Sequence, residues 1–335
     1  MHLKLLSYVL TVAAATPALA ATEPDWFSSL YTGDGMELRA DERVFALFAV
    51  LNATGYDAGP VTRTEPVPKV NYHPVRALVR TRVIGGDPDV RKAADAFLDA
   101  HPTALKKYLG YAVTAGPAPF TASSKSKDLA ELKGLETVLA RAYAGWKLDE
   151  VLAQVQGDYR KALKAYLSSV DAPLAKARAT LKVPDSAPPS VMVMNLLDAQ
   201  DTVRGVQGDN EVVLVVGPAE KPNVEGVVRE YARVFIDPLV SKKAAGWAGG
   251  AALLKEAQVA GAPDQTPAEY ASSLLGTALA LKAINATDAQ YEAAQARGYF
   301  GVKEISKMFD DGKPVDGWVL DALARADARR PARKQ

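Results

Sequence analysis

Arg229 and Arg233 stand four residues apart with Glu230 between them, inside the segment 224–236, where Val227, Val228, Tyr231, Val234 and Phe235 recur with helical spacing. At about 100° per residue, the apolar set gathers on one side and the two arginines share the other. Two side chains at i and i+4 can close around one ligand. Two imidazoles there would offer lone pairs to a metal ion, whereas a guanidinium cannot lose its proton and offers none. Paired guanidiniums suit a carboxylate. That acceptor is either internal, Glu230 or another acid, or the C-terminus of a bound peptide. The internal ion pair is the expected one, because a buried charge needs neutralising before it needs a ligand. The plainer alternative is a solvated charged face on an ordinary amphipathic helix.

The elements that must position these residues are a strand and two helices. The apolar run 211–216 (EVVLVV) predicts a strand, followed by a Gly/Pro/Asn-rich turn and a helix over 224–236 that Pro238 stops. A second β-type run, 190–197 (SVMVMNLL), predicts its pairing partner. Downstream, Thr266, Pro267 and Glu269 read as N-cap, first helical residue and capping box of a helix reaching about Ala283. Before residue 184 the chain reads as a helical array. Residues 25–52 form an aromatic-faced helix carrying Trp26, Phe27, Tyr31, Phe45 and Phe48, with further helices over 75–84, 90–109 (interrupted at His101-Pro102), 129–144 and 148–167. The prolines at 60–68 predict an extended linker. Helices over 288–298 and 315–328 follow, and 329–335 is a short basic tail expected to be disordered.

Composition narrows the function. Residues 1–20 carry Lys4, an apolar run and Ala18-Leu19-Ala20, which predicts a secretory signal peptide cleaved after Ala20 and export to the periplasm or beyond. No later run is long and apolar enough for a transmembrane helix. Without Lys4, the only charged residue of that leader, 39 basic residues face 39 acidic ones, a balance that argues against nucleic acid or an anionic membrane as partner. There is no cysteine, so neither disulfides nor thiolate ligands exist, and after the leader only His73 and His101 remain of three histidines. Each precedes a proline at a helix edge, the position of a turn or capping histidine. Neither a P-loop nor a G-x-G-x-x-G after a strand is present, and no cofactor is expected.

Arg229-Glu230-Tyr231-Ala232-Arg233 has the spacing of the zinc-peptidase signature H-E-x-x-H, with arginine at both histidines. The chain resembles exported bacterial zincin-like proteins of the glutamate type, metallopeptidase-like proteins of uncharacterised function in which a strand pair precedes a helix of the form H-E-F-x-H-x-F-x-N-P-L. Glu230, Tyr231, Phe235, Pro238, Leu239 and Val240 follow that pattern, with Asp237 in place of Asn. Asp41 to Val44, Gly55-Tyr56 and His73-Pro74 are also similar to that family. The resemblance implies a predominantly helical α+β fold, one zincin-like domain over 21–328 with a small sheet before the signature helix. It also implies that two metal ligands fall on Arg229 and Arg233 and the third, a glutamate, on the middle of helix 267–283. Ser272 and Ser273 stand there, and Glu269 is claimed by its capping box.

The expected function is therefore an exported pseudopeptidase without metal or cofactor, binding a peptide or protein if its old cleft binds anything. Arg229, Glu230, Arg233, Ser272 and Ser273 form the vestigial site. Two alternatives stand beside it. One is an active hydrolase using a carboxylate pair or a metal held by His73, His101 and acids. The other is a helical scaffold unrelated to zincins, in which 211–216 is not in a sheet and Ser272 and Ser273 lie far from Arg229.

Overall fold

The computed structural model describes residues 29–55, 72–244, 247, 249–309 and 315–329. The expected leader, the proline-rich linker, Trp26, Phe27, Tyr56 and residues 330–335 lie outside the described residues. Five strands form one mixed sheet: β1 (Leu30–Tyr31), β2 (Glu37–Ala40), β3 (Ser190–Met194), β4 (Val203–Gln207) and β5 (Val212–Val216), in the spatial order β1-β2-β3-β5-β4. β2, β3 and β5 run parallel, with Leu38 opposite Met192 and Met192 opposite Leu214, and the two edge strands are antiparallel to their neighbours. All five residues of β5 are buried, as a central strand covered on both faces requires.

The expected pairing of 190–197 with 211–216 is present, and it is parallel because the chain inserts β4 between them and lays it on the far edge. Three strands, β1, β2 and β4, differ from the sequence expectation. Residues 25–52 do not form one helix: β1 and β2 come first, and α1 spans Glu42–Ala53. Asp41 ends that strand by capping α1, accepting from the Arg43 amide at 2.9 Å and from its guanidinium at 3.0 and 2.6 Å. Phe45 and Phe48 are core residues, whereas Tyr31 is 63% exposed on β1.

Helices α2 (Pro74–Ile84), α3 (Pro88–Ala100), α4 (Leu105–Thr114), α5 (Leu135–Gly145), α6 (Leu148–Lys164) and α7 (Asp171–Leu181) precede β3. After β5 come α8 (Val224–Ala244), α9 (Gly250–Ala260), α10 (Pro267–Ala283), α11 (Asp288–Ala296), α12 (Val302–Met308) and α13 (Val319–Ala328). The architecture is thus α+β and mostly helical, and its buried residues form one continuous core. No helix among the described residues is long and apolar enough to cross a membrane.

Pro238 does not stop α8, which continues six residues past it to Ala244. A proline inside a helix removes one amide donor and crowds the preceding turn. Here Ile236 and Val240, both fully buried, hold the segments on either side of it against the core, and Ser241 Oγ donates to the Asp237 carbonyl at 2.8 Å. The start of α10 follows its sequence closely: Thr266 accepts from the Glu269 amide and Glu269 from the Thr266 amide, both at 3.2 Å. α8 lies against β4, β5 and α10, and this stack positions the candidate site.

Candidate functional site

Two glycines set the spacing around the middle of α8. A Cβ on Gly205 of β4 would stand 2.5 Å from the Glu230 carbonyl oxygen, so strand and helix backbone touch where only glycine fits. A Cβ on Gly276 of α10 would stand 3.0 Å from Arg233 Cγ and 3.2 Å from the Arg229 carbonyl. Gly276 shares its helix face with Ser272 and Ser273, four and three residues earlier. The five expected residues are therefore brought together: Arg229, Glu230 and Arg233 on α8 face the part of α10 that carries Ser272 and Ser273, both buried.

Glu230 is the electrostatic centre. It is 6% exposed, and its Oε1 accepts from Arg229 Nε at 3.2 Å and from Arg233 Nη1 at 3.4 Å. Burial alone would raise its carboxyl, but Arg233, Arg229 and Lys106 outweigh burial and hold it below the usual carboxylate range. Burial likewise opposes the charge of both guanidiniums, and Glu230 leads the interactions that more than restore it, joined at Arg233 by Asp237 and Asp264. The acceptor for the paired arginines is thus internal. Arg229 and Glu230 are sequence neighbours that on a regular helix point apart, and only the length of arginine lets the side chain fold back.

Three further residues stand around this site, and only Asp237, four residues after Arg233, is in i, i+4 register with the arginine pair. Asp237, one turn beyond Arg233, places Oδ1 3.6 Å from Arg233 Nε and binds Lys106 of α4 through Oδ2 at 2.8 Å. Asp264 lies before the cap of α10 in a Pro-Asp-Gln-Thr loop that reads as an ordinary turn; its Oδ1 accepts from Ser273 Oγ at 2.6 Å, and Arg233 acts on it electrostatically. Burial raises the Asp264 carboxyl above its ordinary value, which Ser273 and Arg233 only partly offset. Thr277, fully buried, sits one turn beyond Ser273 on the same face of α10. Arg233 Nε, Asp237 Oδ1, Asp264 Oδ2 and Thr277 Oγ1 are all buried without a hydrogen-bond partner, although Arg233 Nε and Asp237 Oδ1 face each other as an ion pair at 3.6 Å.

A zinc ion, which the resemblance implies for the ancestral fold, does not fit these residues. Both guanidiniums point at Glu230 and have no lone pair to give, and the hydroxyl of Ser273 is engaged by Asp264. Among the described residues no grouping of three His, Cys, Asp or Glu side chains could hold a metal ion. His73 accepts from the Val75 amide at 3.2 Å as the N-cap of α2, and His101 closes α3 with Nδ1 2.9 Å from the Phe97 carbonyl. Two surface hollows lie away from these residues, one of about 510 Å³ beside Lys176, Asn223 and Asn285, another of about 540 Å³ beside Glu42, Tyr143 and Asp149.

No protein-family model matches the chain, and neither the curated proteins nor the solved structures contain a significant match.

Proposed function

We propose that this chain is an exported, non-catalytic zincin-like protein, a pseudopeptidase whose former metal position is closed by its own ion network and which serves as a binding module for a peptide or protein. The observation that carries this reading is the meeting of Arg229, Glu230 and Arg233 on α8 with the Ser272–Ser273 face of α10, under the mixed sheet. Had the H-E-x-x-H spacing arisen by chance on a solvated helix face, nothing would require those five residues to converge. Glu230 in a working site would act as general base toward a metal-bound water. Here its Oε1 accepts from two guanidiniums, which lower the basicity of the carboxylate.

Metal analysis of the purified protein, together with a casein-cleavage assay with added zinc, tests the reading. Sub-stoichiometric zinc and no cleavage are expected. One zinc per chain with zinc-dependent cleavage overturns it.

A further inference from the structure

The hollow of about 510 Å³ lies where four helices meet, and each sends a polar side chain into its lining: Lys176 from α7, Glu225 from the first turn of α8, Asn285 from the end of α10 and Gln290 from the first turn of α11. Lys176 Nζ donates to the Lys282 carbonyl at 2.7 Å and to Asn285 Oδ1 at 2.6 Å. Both acceptors are neutral, and Lys176 forms no ion pair among the described residues, so its charge is uncompensated and one of its three N–H groups is unspent. The two carboxamides are held by their oxygens. Asn285 Oδ1 accepts from Lys176, and Gln290 Oε1 accepts from the Thr287 amide at 2.9 Å, two residues further along the link from α10 to α11. An ammonium and a backbone N–H can only donate, which assigns the oxygens and leaves Asn285 Nδ2 and Gln290 Nε2 without a partner among the described residues.

Glu225 belongs to a different wall. Its Oε1 takes Arg297 Nη2 at 3.4 Å, and its Oε2 has no hydrogen-bond partner among the described residues. Lys176 and Glu225 thus line one hollow without pairing to each other across it. Between them the lining is apolar, from Pro173, Pro222 and Ile284. One wall offers N–H donors and a positive charge, and the other offers a carboxylate oxygen.

We propose that this hollow binds a short peptide by both of its free ends, the carboxylate on Lys176, Asn285 and Gln290 and the ammonium on Glu225. A charged end on a charged partner gives the strongest class of hydrogen bond available to such a ligand. A sphere of the hollow's volume is about 10 Å across, and two or three extended residues at roughly 3.5 Å each span that distance. A free amino acid carries both charges on one carbon and does not reach both walls, and a longer chain does not enter with both ends. The ligand class is therefore a di- or tripeptide with unblocked termini. The proposal rests on the peptide-binding half of the proposed function and is independent of whether α8 and α10 descend from a zinc site. Glu225 lies one turn before Arg229 on α8, so the hollow neighbours the closed ion network and shares no residue with it.

The test is a titration of ¹⁵N-labelled full-length protein, following the amides of 223–226 and 284–291. The probes are Ala-Ala, N-acetyl-Ala-Ala, which lacks the ammonium, Ala-Ala amide, which lacks the carboxylate, and alanine. Saturable shifts at these amides are expected with Ala-Ala, and each blocked dipeptide should bind about tenfold more weakly, the worth of one hydrogen bond to a charged group. Glu225→Gln keeps the side chain's shape and should bind Ala-Ala and N-acetyl-Ala-Ala equally. Gln290→Glu keeps an oxygen for the Thr287 amide, and with it the cap of α11, while replacing the donor end by a carboxylate oxygen. It should weaken Ala-Ala roughly tenfold. Equal binding of free and blocked dipeptides, undiminished Ala-Ala binding in Gln290→Glu, or no saturable shift at these amides overturns the site. Alanine binding as tightly as Ala-Ala overturns the peptide as its ligand. Ala-Ala shifts confined to 229–233 and 270–277 overturn this site and leave the binding module standing, and none of these outcomes changes the zinc result, so the two readings fail separately.

Discussion

Glu230→Gln isolates the electrostatic keystone of the α8–α10 contact. The substitution keeps shape and volume and removes one negative charge that two guanidiniums share at 3.2 and 3.4 Å. Stripping one partner from a buried ion pair costs about 3–5 kcal/mol. Here the guanidiniums retain 23% and 19% of their side-chain exposure, and Arg233 has Asp237 at 3.6 Å as a second acceptor, so hydration and that acid recover part of the loss. A net cost of about 2–3 kcal/mol follows. Urea unfolding at pH 7 reads it as an earlier midpoint with an unchanged slope. The pH dependence supplies the second half of the prediction. Glu230 is held below its ordinary value in the fold, so its contribution is fully present above the unfolded value of about 4.3 and is lost as pH falls through the lower folded value. The difference between wild type and Glu230→Gln should therefore shrink below about pH 4. Equal midpoints at pH 7, or a difference that persists unchanged into acid, would refute the reasoning.

Other substitutions probe the packing and the caps. Gly205→Ala places a Cβ 2.5 Å from a backbone carbonyl that cannot rotate away, and a loss of about 2–3 kcal/mol by urea unfolding is expected. Gly276→Ala meets the Arg233 and Arg229 stems at 3.0–3.3 Å, and its gain in helix propensity of about 1 kcal/mol should offset much of the strain, so it should cost less than Gly205→Ala in the same experiment. Ser273→Ala removes the donor to Asp264 Oδ1 at 2.6 Å and leaves a buried carboxyl less satisfied, which should lower stability by about 1–3 kcal/mol. Thr266→Ala breaks a complete capping box and should cost about 1 kcal/mol, visible as reduced hydrogen-exchange protection in the first turn of α10.

What the sequence revealed was governed by local rules. Thr266-Pro267-Ala268-Glu269 determines its own structure, because each capping partner is within three residues of the other. The i, i+4 spacing of Arg229 and Arg233 put both on one face with Glu230 in reach, and that contact needs only a helix to exist. Non-local features were hidden. β2 is four residues with Leu38 alone buried, and β4 reads Val-Arg-Gly-Val-Gln, neither a long apolar run nor a clean alternation; both are strands because β3 and β5 offer them edges. Pro238 looked like a stop because its local cost is real, and tertiary burial of Ile236 and Val240 overrides it. α7, α9 and α12 also go beyond the sequence expectation: α7 buries only Leu174 and Ala177, α9 is rich in Ala and Gly, and α12 is seven residues long, too short for a periodic signal. Asp264 joins the site only because the chain before α10 folds back so that Ser273 reaches it. Gly276 is legible in sequence as a helix-weakening residue, and the close approach that explains it is not.

The most direct measurement restores the ligands. Arg229→His and Arg233→His rebuild H-E-x-x-H around Glu230, and a third carboxylate is supplied in parallel variants by Ser272→Glu or Ser273→Glu. Zinc content after metal loading and exhaustive dialysis is then compared with the wild type. If α8 and α10 keep the arrangement of a zinc site, at least one triple variant should retain one zinc per chain, with tetrahedral nitrogen and oxygen coordination by X-ray absorption, while the wild type retains none. Folded triple variants that bind no zinc, or a wild type that retains it, would contradict the account.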